Sequence, residues 1–348
     1  MLSNKNKEQN RNRFSCLLSF QYRHIPWHTF ALIRGFFSFL FLSGCCPDVL
    51  PEAVSCHSTH ASFVSAHNNP SSGSTLDIFA FENDRLRRLN SYQRIDDFAG
   101  ETAYAESTAG SKIFFFCTSA GRCKYEWADM NSYSSLSGVR IDLENETREC
   151  MTRTGECMIA DGEEGKEVML KPLVAQIGIA RISCDFSGTP YAGEDITSAR
   201  AYLTNINGTC SLMGSGSRGP ERIINQGMLR EDALKAFREP DLVFAELAEN
   251  LGTTTLCPDI SFLCFPNTGN NDLGSPCTRL VIEGKIDGNT YYWPINVKGI
   301  ERNCRYVFDI VIRRKGTSDP DTPIDLEECT IQYEIQPWEE KKEYGIRF

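Results

Sequence analysis

From Arg305 to Ile312 the chain reads RYVFDIVI, and from Cys329 to Trp338 it reads CTIQYEIQPW. In the first run Tyr306, Phe308, Ile310 and Ile312 share one parity, with Val307, Asp309 and Val311 on the other. A repeat of two is the period of an extended strand with one covered face, whereas a helix repeats its apolar positions every three to four residues. The second run predicts Ile331, Tyr333 and Ile335 inward and Thr330, Gln332 and Glu334 outward. Segments so patterned must be paired in sheets, because a lone strand leaves its backbone donors and acceptors unmet.

The same reading extends upstream. TLDIFAFE from Thr75 and SKIFFFCT from Ser111 are short apolar runs, and VMLKPLVAQIGIARISCDF places Leu173, Ala175, Ile177, Ile179 and Arg181 on one parity. ITSARAYLTNI sets Ala199, Ala201 and Leu203 against Arg200, Tyr202 and Thr204. RLVIEGKIDGNTYYWPINV predicts a hairpin around Asp287, Gly288 and Asn289, residues that accept the positive φ of a tight turn. REDALKAF and DLVFAELAENL read as short helical pieces split by Pro240. MGSGSRGP at 213–220 is the clearest break in regular structure. The expected class is all-β: two tandem sandwiches, one over 75–213 and one over 214–348.

The amino-terminal segment has another grammar. Six basic residues and one acidic precede Cys45, and Gly35 to Leu42 form a short apolar run, GFFSFLFL. A basic start, a short apolar run and then small residues mark an export signal, and about 20 apolar residues are needed to span a bilayer. Leu42-Ser43-Gly44-Cys45 resembles the lipobox of bacterial lipoproteins. That resemblance implies a signal peptide over 1–44, lipid on the Cys45 thiol and attachment to the outer membrane. Residues 45–74, rich in Ser, Pro, Asn and His, then read as a polar tether.

Charge and side-chain chemistry narrow the function. Beyond Cys45 the chain carries 30 basic and 45 acidic residues. A body so acidic does not suit the neutralisation of phosphates, so nucleic acid is not expected as a partner. All five histidines lie before residue 68, which removes Ser/His and Cys/His catalysis from the folded body. Neither a G-x-S-x-G elbow nor a phosphate-binding glycine loop occurs, and no enzyme or cofactor is expected. Of the 15 cysteines, the short spacings Cys117/Cys123, Cys150/Cys157 and Cys257/Cys264 suit local disulfides. Small buried hydrophobes are the competing reading for them, and no CxxC pair points to a metal site.

In order, TLDIFAFE, KIFFFCTSAG, ECMIADGE, LKPLVAQIGIARI, FLCFPNTG, RNCRYVFDIVIRRKGTSDPDTPI and IQYEIQPW resemble the fimbrillin superfamily of Bacteroidales, over roughly 75–338. The resemblance implies two transthyretin-like sandwiches, a structural role in a type V pilus, and partners that are other fimbrial subunits. It also implies assembly by donor-strand exchange after proteolytic removal of a first strand. Stalk subunits of that family are cut after an Arg between the lipidated Cys and the first body strand, whereas anchors keep the segment. Here no Lys or Arg lies between Cys45 and Arg85, which favours an anchoring or terminating subunit over a stalk or tip. In the tail PWEEKKEYGIRF, Tyr344, Ile346 and Phe348 alternate as a strand should, either closing the protein's own second sandwich or acting as a donor. The rival from another class is a surface lipoprotein that binds host or bacterial glycans through Trp127, Tyr291, Tyr292 and Trp293.

Overall fold

The computed structural model describes residues 59–64 and 74–337, except 97, 99–101, 120–126, 128, 164, 165, 167, 215–219, 270–275, 323 and 325–328. In chain order the first strands are β1 (Thr59–Val64), β2 (Thr75–Glu82), β3 (Leu89–Ile95), β4 (Thr102–Ser107), β5 (Lys112–Ser119), β6 (Arg140–Asp142), β7 (Arg153–Ile159) and β8 (Lys171–Pro172). Then come β9 (Ala175–Cys184), β10 (Ile196–Thr204), β11 (Ile206–Asn207), β12 (Thr209–Ser211) and β13 (Ile223–Ile224). The last are β14 (Phe244–Leu251), β15 (Ile260–Cys264), β16 (Arg279–Ile286), β17 (Asn289–Asn296), β18 (Cys304–Ile312) and β19 (Cys329–Pro337). Helix is confined to single turns such as Tyr133–Leu136 and Glu231–Leu234. The all-β class expected from the alternation is what the chain adopts.

Among the described residues three sheets dominate: β3-β2-β5-β7-β8, β14-β10-β16-β17 and β15-β9-β18-β19. The strand marked most sharply by its sequence, β18, lies inside the last of these. It runs antiparallel to β19 and parallel to β9, and Tyr306, Phe308, Ile310 and Ile312 are all buried as the parity predicts. Leu203, Leu280, Ile282, Ile286 and Trp293 from the other four-stranded sheet belong to the same apolar cluster, so the two sheets share one core. A fully buried side chain of this size contributes roughly 1.5–3 kcal/mol, and the core is the sum of many such terms.

In the five-stranded sheet β2 is covered on both faces, which is why TLDIFAFE is apolar on both parities. Phe79 and Phe81 join the core shared with the four-stranded sheets. Leu76, Ile78 and Ala80 turn the other way, onto Phe114 and Phe116 of β5 and Ala103 and Ala105 of β4. Asp77, fully buried on β2, accepts hydrogen bonds from Arg94 Nε at 2.8 Å and from the Tyr92 hydroxyl at 2.6 Å, which meets the cost of burying its charge.

Several expectations need correction. The hairpin forms as expected, with Ile286 opposite Asn289 and positive φ at Asp287 (48°) and Gly288 (75°), the primed turn that suits strand twist. DLVFAELAENL, however, is not helical: after a short 3-10 turn at Pro240–Leu242 it is strand β14. Its partner register passes from Ala199 opposite Ala248 to Arg200 opposite Glu246, so Leu247 is an extra residue. That bulge breaks the alternation and leaves a helix-like spacing in the sequence. A second irregularity, between Phe308 and Asp309 against β9, skips Ala180 and reverses the parity there. Arg181 therefore leaves the apolar row of Ile177 and Ile179 to pair with Asp309, and Ile182 and Cys184 turn inward.

The stretch at 213–220, read as a join between sandwiches, falls between β12 and β13. Strands β9 and β10 precede it, yet each is an internal strand of a sheet whose other members follow it. Gly and Ser mark a loop, and a loop breaks regular structure without breaking a sheet. The tether read over 45–74 also contains a strand, since β1 pairs with β4 over its whole length.

Candidate strand-docking surfaces

Strand pairing is set by which edges are open, so the edges define the candidate sites. At the start of the described chain, β1 is antiparallel to β4 from Thr59 opposite Ser107 to Val64 opposite Thr102. This two-stranded unit lies over the face of the five-stranded sheet that carries Phe114 and Phe116, with Ala103, Ala105 and Ser107 of β4 buried. Small residues on β4 let it approach the large rings of β5 closely. THASFV does not alternate apolar with polar residues and sits in a stretch rich in Ser, Pro, Asn and His, so no period of two marks β1, and its ladder partner β4 is distant in sequence.

At the other end β19 forms one edge of its sheet. Its apolar parity was expected to face inward, and the structure corrects this. Tyr333 is 61% exposed and Ile335 52% exposed, while Ile331 is half-buried against the core. The parity itself is right, since Ile331, Tyr333 and Ile335 lie opposite the buried Ile310, Phe308 and Tyr306. Tyr333 stacks on Phe308 at 5.5 Å. At an edge the opposing layer runs out, so the correct face is not fully covered.

The buried cysteines carry no reactive chemistry. Cys117, Cys157, Cys257 and Cys264 are free thiols in the structure, and Cys123, the expected partner of Cys117, lies outside the described residues. Cys264 sits in the sheet interior at the end of β15, whereas Cys257 is exposed in the loop before it. Cys157 lies within β7 and Cys150 in the loop before that strand. Burial pushes the thiol of Cys157 to about 11 and those of Cys264 and Cys184 to about 12. A thiol held protonated is neither nucleophile nor ligand. The lipidation residue Cys45 and its lipobox residues Leu42, Ser43 and Gly44 lie outside the described residues.

The aromatic residues that motivated glycan binding are used inside the fold. Trp293 is fully buried and donates its indole N–H to the Arg314 carbonyl at 3.0 Å. Trp127 is edge-on to Phe79 at 5.0 Å. The Lys315 ammonium lies 5.4 Å from the ring of Tyr291, and the backbone of Tyr292 pairs with Thr317 in both directions at 2.9 Å. Stacking on a sugar requires an open aromatic face, which a fully buried indole does not offer.

The loop 146–152 is the one place among the described residues where a carboxyl is buried and strongly shifted in a range reached in ordinary buffers. Glu146 accepts hydrogen bonds from the Thr152 backbone N–H at 2.7 Å and its hydroxyl at 2.6 Å. Burial nevertheless raises its carboxyl to about 7, with those two bonds and the Arg238 charge opposing the rise. The loop also carries Arg148, whose guanidinium donates to the Ser261 and Asp241 carbonyls. It therefore ties the region before β7 to the edge strand β15.

Comparison with known proteins places this arrangement. No family model and no curated protein sequence matches the chain. Solved structures do. A fimbrilin from Porphyromonas gingivalis W83 superposes with a TM-score of 0.58 at 12% identity, covering 80% of this chain and 97% of its own. A Bacteroides eggerthii protein assigned to cell adhesion gives 0.59 at 14% identity, covering 81% and 97%. Another such protein, from Parabacteroides distasonis, gives 0.57 at 14% identity, covering 81% and 96%. The chain therefore has the fold of fimbrilins and cell-adhesion proteins of Bacteroidales.

Proposed function

We propose that this chain is a structural component of a type V pilus: an anchoring or terminating subunit, held at the outer membrane through lipidated Cys45 and docked to other fimbrial subunits by β-strand complementation. The observation that carries the reading is β1. It lies in the stretch between Cys45 and Arg85 that contains no Lys or Arg, and it is hydrogen-bonded to β4 along all six residues. Within the segment that follows Cys45, residues 59–64 are thus paired into the fold, and the stretch up to Arg85 offers no basic residue for an Arg-specific protease. A stalk or tip subunit of the family, by contrast, loses its first strand.

The chemistry suits an assembly part. An added strand satisfies a row of backbone donors and acceptors while alternate side chains fill a groove, so neither a catalytic group nor a cofactor is called for. The fold shared with a fimbrilin supports the same class, and the burial of Trp293 weighs against the glycan-binding rival. Replacing Cys45 tests the anchor: Cys45→Ala is expected to yield unprocessed or released protein. Unchanged retention in the membrane fraction would contradict a lipid attachment at that residue.

A further inference from the structure

The two four-stranded sheets have four edges, and three are protected. Strand β14 exposes Glu246, Glu249 and Asn250. Strand β17 is bridged by Thr317 at Tyr292, where Gly316 fits because a Cβ there would lie 2.2 Å from the Tyr292 carbonyl oxygen. On β15 the Ser261 carbonyl is taken by Arg148. These are the devices by which proteins keep edges from pairing: charge, a covering segment, or a capped backbone group. Among its described neighbours strand β19 has neither a covering segment nor a capped backbone group, and its charge is limited to one residue. It is nine residues long and exposes Tyr333 and Ile335, with Glu334 the one charged side chain between Ile331 and Ile335.

The sequence of this edge is self-complementary. With Tyr333 on a two-fold axis, an antiparallel partner of the same sequence sets Tyr333 opposite Tyr333, Ile331 opposite Ile335 and Gln332 opposite Glu334. Each apolar position then meets an apolar one, each carboxylate meets an amide donor, and no like charges are directly opposed. We propose that β19 is a homotypic docking edge, on which a second copy of this chain pairs antiparallel through Ile331–Ile335 and joins the two copies' four-stranded sheets into one. The Tyr333 ring, already stacked on Phe308, is held in place for the contact. A symmetric pair closes on itself and propagates no fibre, so the proposal stands apart from the pilus reading and does not depend on it.

The test is sedimentation velocity on the full chain in detergent over a concentration series, with the variants Gln332→Lys and Gln332→Glu. The two-fold places position 332 opposite Glu334 twice. Gln332→Lys gains two cross-strand ion pairs and is expected to lower the dimerisation midpoint about tenfold, and Gln332→Glu to raise it by a similar factor. Position 332 is exposed but lies opposite Asp309 of β18, so circular dichroism and urea unfolding of each variant separate an effect on the fold from one on the midpoint. A chain that stays monomeric at every concentration overturns the proposal, as does a dimer whose midpoint ignores position 332. Dimers that appear only after residues 338–348 are deleted also overturn it, because the tail is then the natural occupant of the edge.

Discussion

Glu146 is the residue whose environment departs furthest from its ordinary state at neutral pH. Its carboxyl is raised to about 7 by burial, and in the unfolded chain it returns to its ordinary value near 4.5. A carboxyl raised on folding contributes stability that is fully present below the unfolded value and is lost as pH rises through the folded one. The window here is therefore about pH 4.5 to 7, and the loss across it is about 3 kcal/mol. Glu146→Gln keeps an acceptor for the Thr152 N–H and removes the ionisation. In urea unfolding, the variant should gain on the native chain by about that amount between pH 5 and pH 8. An unchanged difference between the two proteins across that range would show that Glu146 is not held neutral. Nothing in the sequence around ENETRECMT distinguishes this glutamate from the many on the surface. What sets it apart is Thr152, six residues on, and an enclosure contributed by distant strands.

At the scale of the element, the turn from β2 to β3 makes an experiment possible. Residues 83–88, NDRLRR, are all exposed, and Leu86 is 59% exposed at the tip. Arg85 is the first basic residue after Cys45. Limited digestion with an Arg-specific protease should cut there first. The cut should not release β2, which is buried on both faces and laddered to β3 and β5. On a native gel the nicked chain should migrate as one species that separates into two only in denaturant. Dissociation without denaturant would mean that β2 is held far less firmly than its burial implies.

The elements also show what a sequence can and cannot reveal. Strand β18 and the β16–β17 hairpin were legible because burial on one face imposes a period of two, and Asp-Gly fits a positive-φ turn. Strand β14 was not, because its bulge at Leu247 gives the spacing of a helix. Strand β1 was hidden because its sequence carries no period of two and its ladder partner is distant in sequence. On β19 the parity was legible and the coverage was not: a strand's own sequence states which face is apolar, whereas the neighbouring layer decides whether that face is covered.

For the molecule as a whole, the central question is whether the body stays joined to the lipid proposed at Cys45. The fold is the one shared with fimbrilins and cell-adhesion proteins of Bacteroidales. The lipobox-like stretch ending at Cys45 and the basic-free stretch that follows it are features of linear sequence, and the lipid attachment proposed there rests on that sequence alone. The pairing of β1 with β4 adds that residues 59–64 of this stretch are laddered to the body. Identification of the amino terminus of the mature surface protein by mass spectrometry tests the account most directly. A terminus at diacylated Cys45, with residues 59–64 still present, is the predicted result; a terminus beyond residue 70 would contradict the anchoring role and leave a subunit cut free for assembly.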